Sequence, residues 1–237
     1  MTRGTALVTG ANKGIGRETA AALGRAGFRV GVGSRDPGLG AEAVDQLRGE
    51  GIDAFLVPLD VSDDASVTAA AAGWTGGLDV LVNNAGTSAG ALERPSATSV
   101  ERVRTVFETN VIGVLRATNA FLPLLLRSAA PRVVNVTSSM GSLTLQHDEL
   151  PGSGPVDGAY GPSKTALNAL TLQYARELAR TPVLVNAVCP GYTATEFTGF
   201  SGARTPAQAA AVVVRLATVG HDGPRGGFFD ESGALPW

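Results

Sequence analysis

The chain is poor in the residues that build disulfides and metal sites. Cys189 is the single cysteine among 237 residues, so an intramolecular disulfide is impossible and a reducing compartment is expected. With only two histidines, His147 and His221, no structural zinc site can be assembled; no metal is expected. No apolar run approaches the ~18–20 residues of a membrane span, and the N-terminus enters an apolar strand at once, without a signal-peptide pattern. The expectation is a cytoplasmic protein with no membrane partner. Acids and bases are interspersed around a net charge of −2, and no basic stripe interleaved with aromatics points to nucleic acid. Lysine is scarce as well. Only Lys13 and Lys164 stand among the nineteen basic residues.

What is present describes a globular chain with many tight turns: 44% hydrophobic, 17% charged, with 31 glycines. Short apolar runs alternate with amphipathic stretches. Strands are predicted at 6–8, 29–33, 54–57, 80–82, 132–136, 183–188 and 227–229. Helices are predicted at 14–26, 39–48, 62–72, 99–127, 160–180 and 206–218. Several strands lack polar alternation, as strands covered on both faces do. The rhythm predicts an α/β fold: one domain, 1–237, with a doubly wound parallel sheet of about seven strands and helices on both faces. Gln146–Gly158, dense in Gly, Pro, Asp and Ser, reads as a loop.

Lys164 follows Tyr160 by four positions, with Pro162 suiting a first helical turn. On a helix that spacing sets an ammonium beside a phenol. A nearby positive charge favours the phenolate and lowers its pKa, as a proton donor or acceptor near neutral pH requires. The alternative is a surface helix pair.

Gly10, Ala11, Asn12, Lys13, Gly14, Ile15 and Gly16 follow the first strand and open the first helix. Glycines there permit close approach of a pyrophosphate held at the helix N-terminus; a structural strand–helix turn is the competing reading. The second strand ends Ser34-Arg35-Asp36. An acid there would hold the ribose 2′-hydroxyl of NAD, and an arginine the 2′-phosphate of NADP. Ser34 in the acid position, with Arg35 and Lys13 as two cations, favours NADPH (NADP+), although Asp36 counts against a phosphate. Asp60 is suited to the adenine amino group, with Val61 packing by the ring, or to capping the next turn. Asn84, Ala85 and Gly86 end the fourth strand at the ligand-binding edge, where asparagines can also satisfy turn backbone.

These motifs, with TNVIG around Asn110, NVTSS ending at Ser139, YGPSK and the PGYTAT of Pro190–Thr195, occur in the order of the short-chain dehydrogenase/reductase family. The chain resembles that family over essentially its whole length, most of all its NADPH-dependent carbonyl-reductase-like branch. The resemblance implies a Rossmann-type fold and a small-molecule carbonyl substrate. It implies that Tyr160 is the general acid of reduction, that Lys164 binds the nicotinamide ribose and depresses the Tyr160 pKa, and that Ser139 hydrogen-bonds the carbonyl, with Ser138 as the competing candidate. Asn110 would hold a water of a proton relay. Pro190, Gly191 and Thr193 would flank the nicotinamide, with Thr195 close by and Tyr192 on the substrate side.

A 3-oxoacyl-thioester reductase or secondary-alcohol dehydrogenase would use the same residues. A non-catalytic NADP(H)-binding protein would have lost the tyrosine or lysine, and a serine hydrolase on Ser139 and His147 lacks a G-x-S-x-G elbow. Family members form homodimers or homotetramers, and monomers occur. The 21 positions between Ser139 and Tyr160 exceed the usual family spacing; the surplus falls in 146–158, which would shape the substrate pocket. The short segment Glu196–Arg204 suggests an open pocket.

Overall fold

In a computed structural model describing residues 3–148 and 155–237, seven short runs become the strands of one parallel sheet. They are β1 (Gly4–Val8), β2 (Phe28–Ser34), β3 (Ala54–Pro58), β4 (Val80–Asn83), β5 (Arg132–Val136), β6 (Leu184–Val188) and β7 (Phe228–Phe229), in the order β3-β2-β1-β4-β5-β6-β7. Between them run α1 (Gly14–Arg25), α2 (Pro37–Gly49), α3 (Asp64–Ala72), α4 (Val100–Phe107), α5 (Gly113–Leu125), α6 (Leu143–Asp148), α7 (Tyr160–Glu177) and α8 (Pro206–Ala217). The expected doubly wound α/β sheet is the observed one.

The strands lack polar alternation because both faces are covered. Ala6, Val8, Val30, Val32, Val80 and Val82 pack against α1, α2 and α8 on one side. Leu7, Leu81 and Val133 meet Val67 of α3, Phe121 of α5 and Tyr174 of α7 on the other. Each buried Val, Leu or Phe among them contributes about 1.5–3 kcal/mol. The registers Val8↔Val32 and Val8↔Val82 bring the carboxyl ends of β1, β2 and β4 level.

Two sequence expectations are refined. The helix predicted over 99–127 is continuous but widens into a π turn at Glu108–Ile112; such turns insert one residue and re-aim side chains. The predicted loop 146–158 begins as α6 up to Asp148, and residues 149–154 lie outside the described residues. Phe228 stacks on Trp237 with ring centroids 5.5 Å apart, closing a small apolar cluster with Ala187 and Cys189.

Candidate active site

Strand order reverses between β1 and β4, and ligands of such sheets sit outside the carboxyl ends at that point. The glycine turn after β1 forms the floor. Gly10 and Gly14 adopt φ of 62° and 57°, a left-handed backbone that costs glycine nothing. A Cβ on Gly16 would stand 2.4 Å from the Gly10 carbonyl oxygen, so no larger residue fits. The Asn84 amide donates to the Thr9 and Gly10 carbonyls at 2.9 and 3.1 Å. Thr9 Oγ1 accepts from the Asn84 and Ala85 N–H groups. The Asn84 side chain thus satisfies turn backbone. Lys13 N-caps α1 with no side-chain cap, which leaves the first-turn N–H groups and the positive end of the helix dipole for an anion. Asn12 and Ile15 lie half-buried in the same turn.

Arg35 is exposed just past β2. The neighbouring Asp36 is engaged as the N-cap of α2, accepting from Leu39 N at 3.0 Å, which weakens the objection it raised. Asp60 takes the capping alternative: its Oδ1 accepts from Ser62 N at 2.9 Å and from Ser62 Oγ at 2.6 Å. Burial would raise the Asp60 carboxyl, but the Ser62 hydrogen bonds, with Arg35 and Arg116 nearby, hold it below its ordinary value. Val61 is buried and packs over Gly113.

The candidate catalytic groups lie after β5, in the π turn between α4 and α5, and on α7. Lys164 is 4% exposed. Its Nζ donates to the Val136 carbonyl at 2.9 Å and sits 5.5 Å from the centroid of the Tyr160 ring. Val136 O is its one recorded partner among the described residues, and an ammonium carries three donors. A Cβ on Gly86 would lie 3.6 Å from that Nζ and 3.3 Å from Asn110 Oδ1, so glycine keeps this wall open. Asn110 is fully buried in the π turn. Its Oδ1 accepts from Thr87 N at 2.8 Å, and its Nδ2 donates to Thr87 O at 2.9 Å and Ser163 Oγ at 3.0 Å. Ser163 lies beside Lys164 on α7, so Asn110 braces the helix that carries the lysine.

The serine order differs from the expectation. Ser138 stays extended (φ −157°, ψ 153°), its Oγ accepting from Met140 N at 3.2 Å, and it is the serine that lies near enough to the Tyr160 phenol to favour its ionised form. Ser139 already belongs to the following 3-10 turn, and its N–H goes to Cys189 Sγ at 3.2 Å. Expected depression of the Tyr160 pKa is not what the surroundings give. Burial pushes the phenol up, the Cys189 sulfur adds to this, and only the Ser138 hydrogen bond opposes. Burial likewise lowers the Lys164 ammonium to about 8.

Two neighbours escaped the sequence reading. Asp157 has a fully buried side chain, paired with the nearly buried guanidinium of Arg102 at 3.0 Å. Its carboxylate also accepts from Glu93 N and Ala159 N at 3.0 Å each, and from Tyr160 N. Carboxylate and helix N-terminus attract, so Asp157 holds the residue that starts α7. Phe197 is the second; its ring lies 5.3 Å from that of Tyr160. It belongs to a 3-10 turn at Glu196–Thr198, so this short segment sets an aromatic side chain beside Tyr160. Pro190, Gly191 and Thr193 follow β6 at the same edge, Thr193 pairing with Arg204. The Thr195 methyl would touch a Cβ on Gly14 at 3.4 Å. Tyr192 is exposed, its hydroxyl 2.6 Å from Ser201 Oγ.

The chain resembles known proteins over most of its length. The family model for short chain dehydrogenases matches residues 4–205. Carbonyl reductase (NADPH) 1 of Rattus norvegicus is 32% identical over 277 residues, covering 99% of both chains. (+)-Neomenthol dehydrogenase of Capsicum annuum is 31% identical over 298 residues, covering 94% of each. The solved structure of salutaridine reductase from Papaver somniferum superimposes with a TM-score of 0.84 at 31% identity, over 97% of this chain and all of that one.

Proposed function

Because the chain belongs to the short-chain dehydrogenase family, we propose that it is an NADPH-dependent reductase of aldehyde or ketone carbonyls. The observation that carries the reading is the convergence of Ser138, Tyr160 and Lys164 beside a glycine-floored cleft. The cleft fits a dinucleotide: Gly16 and Gly86 leave room where a Cβ would collide or crowd, and uncapped N–H groups of α1 await a pyrophosphate. Arg35 and Lys13 would hold a 2′-phosphate, Lys164 the nicotinamide ribose, and Pro190, Gly191, Thr193 and Thr195 the nicotinamide side. A reduced nicotinamide, when bound, supplies the hydride.

The chain's own residues supply position and the proton. Tyr160 O–H and Ser138 O–H both aim at the carbonyl oxygen, where negative charge develops as the carbon is reduced, and Tyr160 delivers its proton there. Burial keeps the phenol in its protonated, donating form but makes it a weaker acid, so transfer relies on the negative charge developing on the carbonyl oxygen. Lys164 stays mostly charged at pH 7, since burial takes it only to about 8, and its charge supports the phenolate that forms. No helix of the described residues is long and apolar enough to cross a membrane.

Steady-state turnover over a panel of aldehydes, cyclic ketones and 3-oxoacyl thioesters tests the assignment, run with NADPH beside NADH. NADPH-dependent loss of simple carbonyls is expected. Preference for thioesters, for alcohol oxidation or for NADH would each replace the corresponding part of the reading. The serine assignment has its own check. Ser138→Ala should lower kcat by on the order of 10²–10³-fold, as loss of one oxyanion donor does, whereas Ser139→Ala should leave it nearly intact. The reverse order would restore Ser139.

A further inference from the structure

We propose that Glu196 is a specificity-determining residue whose carboxylate competes with a nucleotide 2′-phosphate for the Lys13 ammonium. The proposal deepens the reading above and rests on it, because it takes Lys13 and Arg35 as the phosphate-binding cations.

The two cations differ in their surroundings. Among the described residues, Arg35 has no carboxylate within ion-pair distance, its neighbour Asp36 being committed to capping α2. Lys13 is already paired with Glu196, a residue 183 positions away in sequence. The pair is not a chance meeting of two mobile side chains. Glu196 opens a 3-10 turn closed by a Thr195–Thr198 capping box, and Thr198 Oγ1 ties that turn to Thr193 O at 2.6 Å. Thr195 in turn rests on Gly14, the residue next to Lys13. The backbone of Glu196 is therefore held beside the glycine turn, within reach of the Lys13 side chain. Lys13 is tethered to the same turn, which is joined to the end of β2 by Ala11 N donating to Gly33 O at 2.9 Å. The ammonium can serve the carboxylate or an anion beside Arg35.

An incoming 2′-phosphate carries more charge than a carboxylate and wins the ammonium, but it must first break the pair. The side chains are 57% and 60% exposed, so water screens the pair and the penalty is modest. An unphosphorylated dinucleotide has no claim on Lys13 and feels no such penalty. Glu196 thereby narrows the gap between the two cofactors without touching the hydride-transfer centre.

The test is calorimetric titration at low salt of 2′,5′-ADP, 5′-ADP, NADP+ and NAD+ against wild type, Glu196→Gln, Lys13→Met and the double variant. Glu196→Gln should tighten 2′,5′-ADP and NADP+ by about two- to five-fold, the span of an exposed ion pair, and leave 5′-ADP and NAD+ unchanged. In the Lys13→Met background the same substitution should do nothing, as a coupled pair requires. Unchanged or weaker NADP+ binding in Glu196→Gln overturns the inference, and so does equal tightening of all four ligands. If Lys13→Met still loses affinity for 2′,5′-ADP, the cofactor reading survives that failure. If wild type binds 2′,5′-ADP and 5′-ADP alike and Lys13→Met changes neither, both fall together.

Discussion

Tyr160→Phe is expected to lower kcat for carbonyl reduction by on the order of 10²–10⁴-fold, the contribution of a positioned general acid, while NADPH affinity is unchanged. The substitution removes one oxygen and little else. The ring keeps its place 5.3 Å from Phe197, and the backbone N–H keeps its bond to Asp157, so the fold has no reason to respond. A companion effect appears in the pH profile of the wild type. Burial pushes the phenol up, away from neutrality, so its own titration does not limit reduction in the neutral range. Lys164 is the group that changes: charged below about 8 and neutral above it. The value of kcat/KM for reduction should therefore be level in the neutral range and fall as pH rises through about 8. Stopped-flow single turnovers separate this from slow product release. A Tyr160→Phe protein retaining more than about a tenth of wild-type kcat removes the tyrosine from the role of acid, and a profile that rises through that window removes Lys164 from the role given to it.

The alternation of apolar runs and amphipathic stretches was enough to read the sheet, because parallel strands buried on both faces announce themselves as unbroken hydrophobic runs. The Tyr160–Lys164 pair was equally legible, since both residues lie on one helix and their spacing is local. Ser138 and Ser139 were not separable. Which one lies near the Tyr160 phenol depends on whether the chain leaves the β5 pleat one residue earlier or later, and no propensity fixes that step. Ser138 remains extended while Ser139 enters the turn, a difference set by tertiary contacts such as the bond from Ser139 N to Cys189 Sγ. The same limit hid the environment of Tyr160. Sequence places a cation four residues away but not the degree of burial, and burial decides the direction of both pKa shifts. Asp157 sat in a stretch of Gly, Pro, Ser and Asp that reads as solvated turn. Its partner Arg102 comes from α4, and only the folded topology reveals that the two meet.

Removing that carboxylate should have the largest effect on stability of any single charge in the site. Among the described residues, Asp157→Ala leaves Arg102, 9% exposed, with Glu93 at 3.3 Å and the Ser88 carbonyl as partners. It also frees the N–H groups of Glu93, Ala159 and Tyr160. Breaking a buried ion pair on one side costs about 3–5 kcal/mol. At about 2–4 °C per kcal/mol for a chain of this size, Tm should fall by roughly 6–20 °C. Asp148→Asn, at an exposed position on α6, should change it little. The pH dependence gives the sign. Burial alone would raise the Asp157 carboxyl, but the backbone bonds from Glu93, Ala159 and Tyr160, together with Arg102, hold it below its ordinary value. A carboxyl depressed in the folded state stabilises above its unfolded pKa, near ~3.9, and loses that contribution as pH falls through the folded value. The Tm gap between wild type and Asp157→Ala should therefore be full at neutral pH and shrink toward pH 3 in differential scanning calorimetry. Because Asp157 anchors the first residue of α7, the variant should also lose kcat at temperatures where it is still folded, with nucleotide affinity less affected. A variant as stable as wild type at pH 7 would mean that the Arg102–Asp157 pair only breaks even against its own desolvation, and that Tyr160 is positioned by the rest of α7 alone.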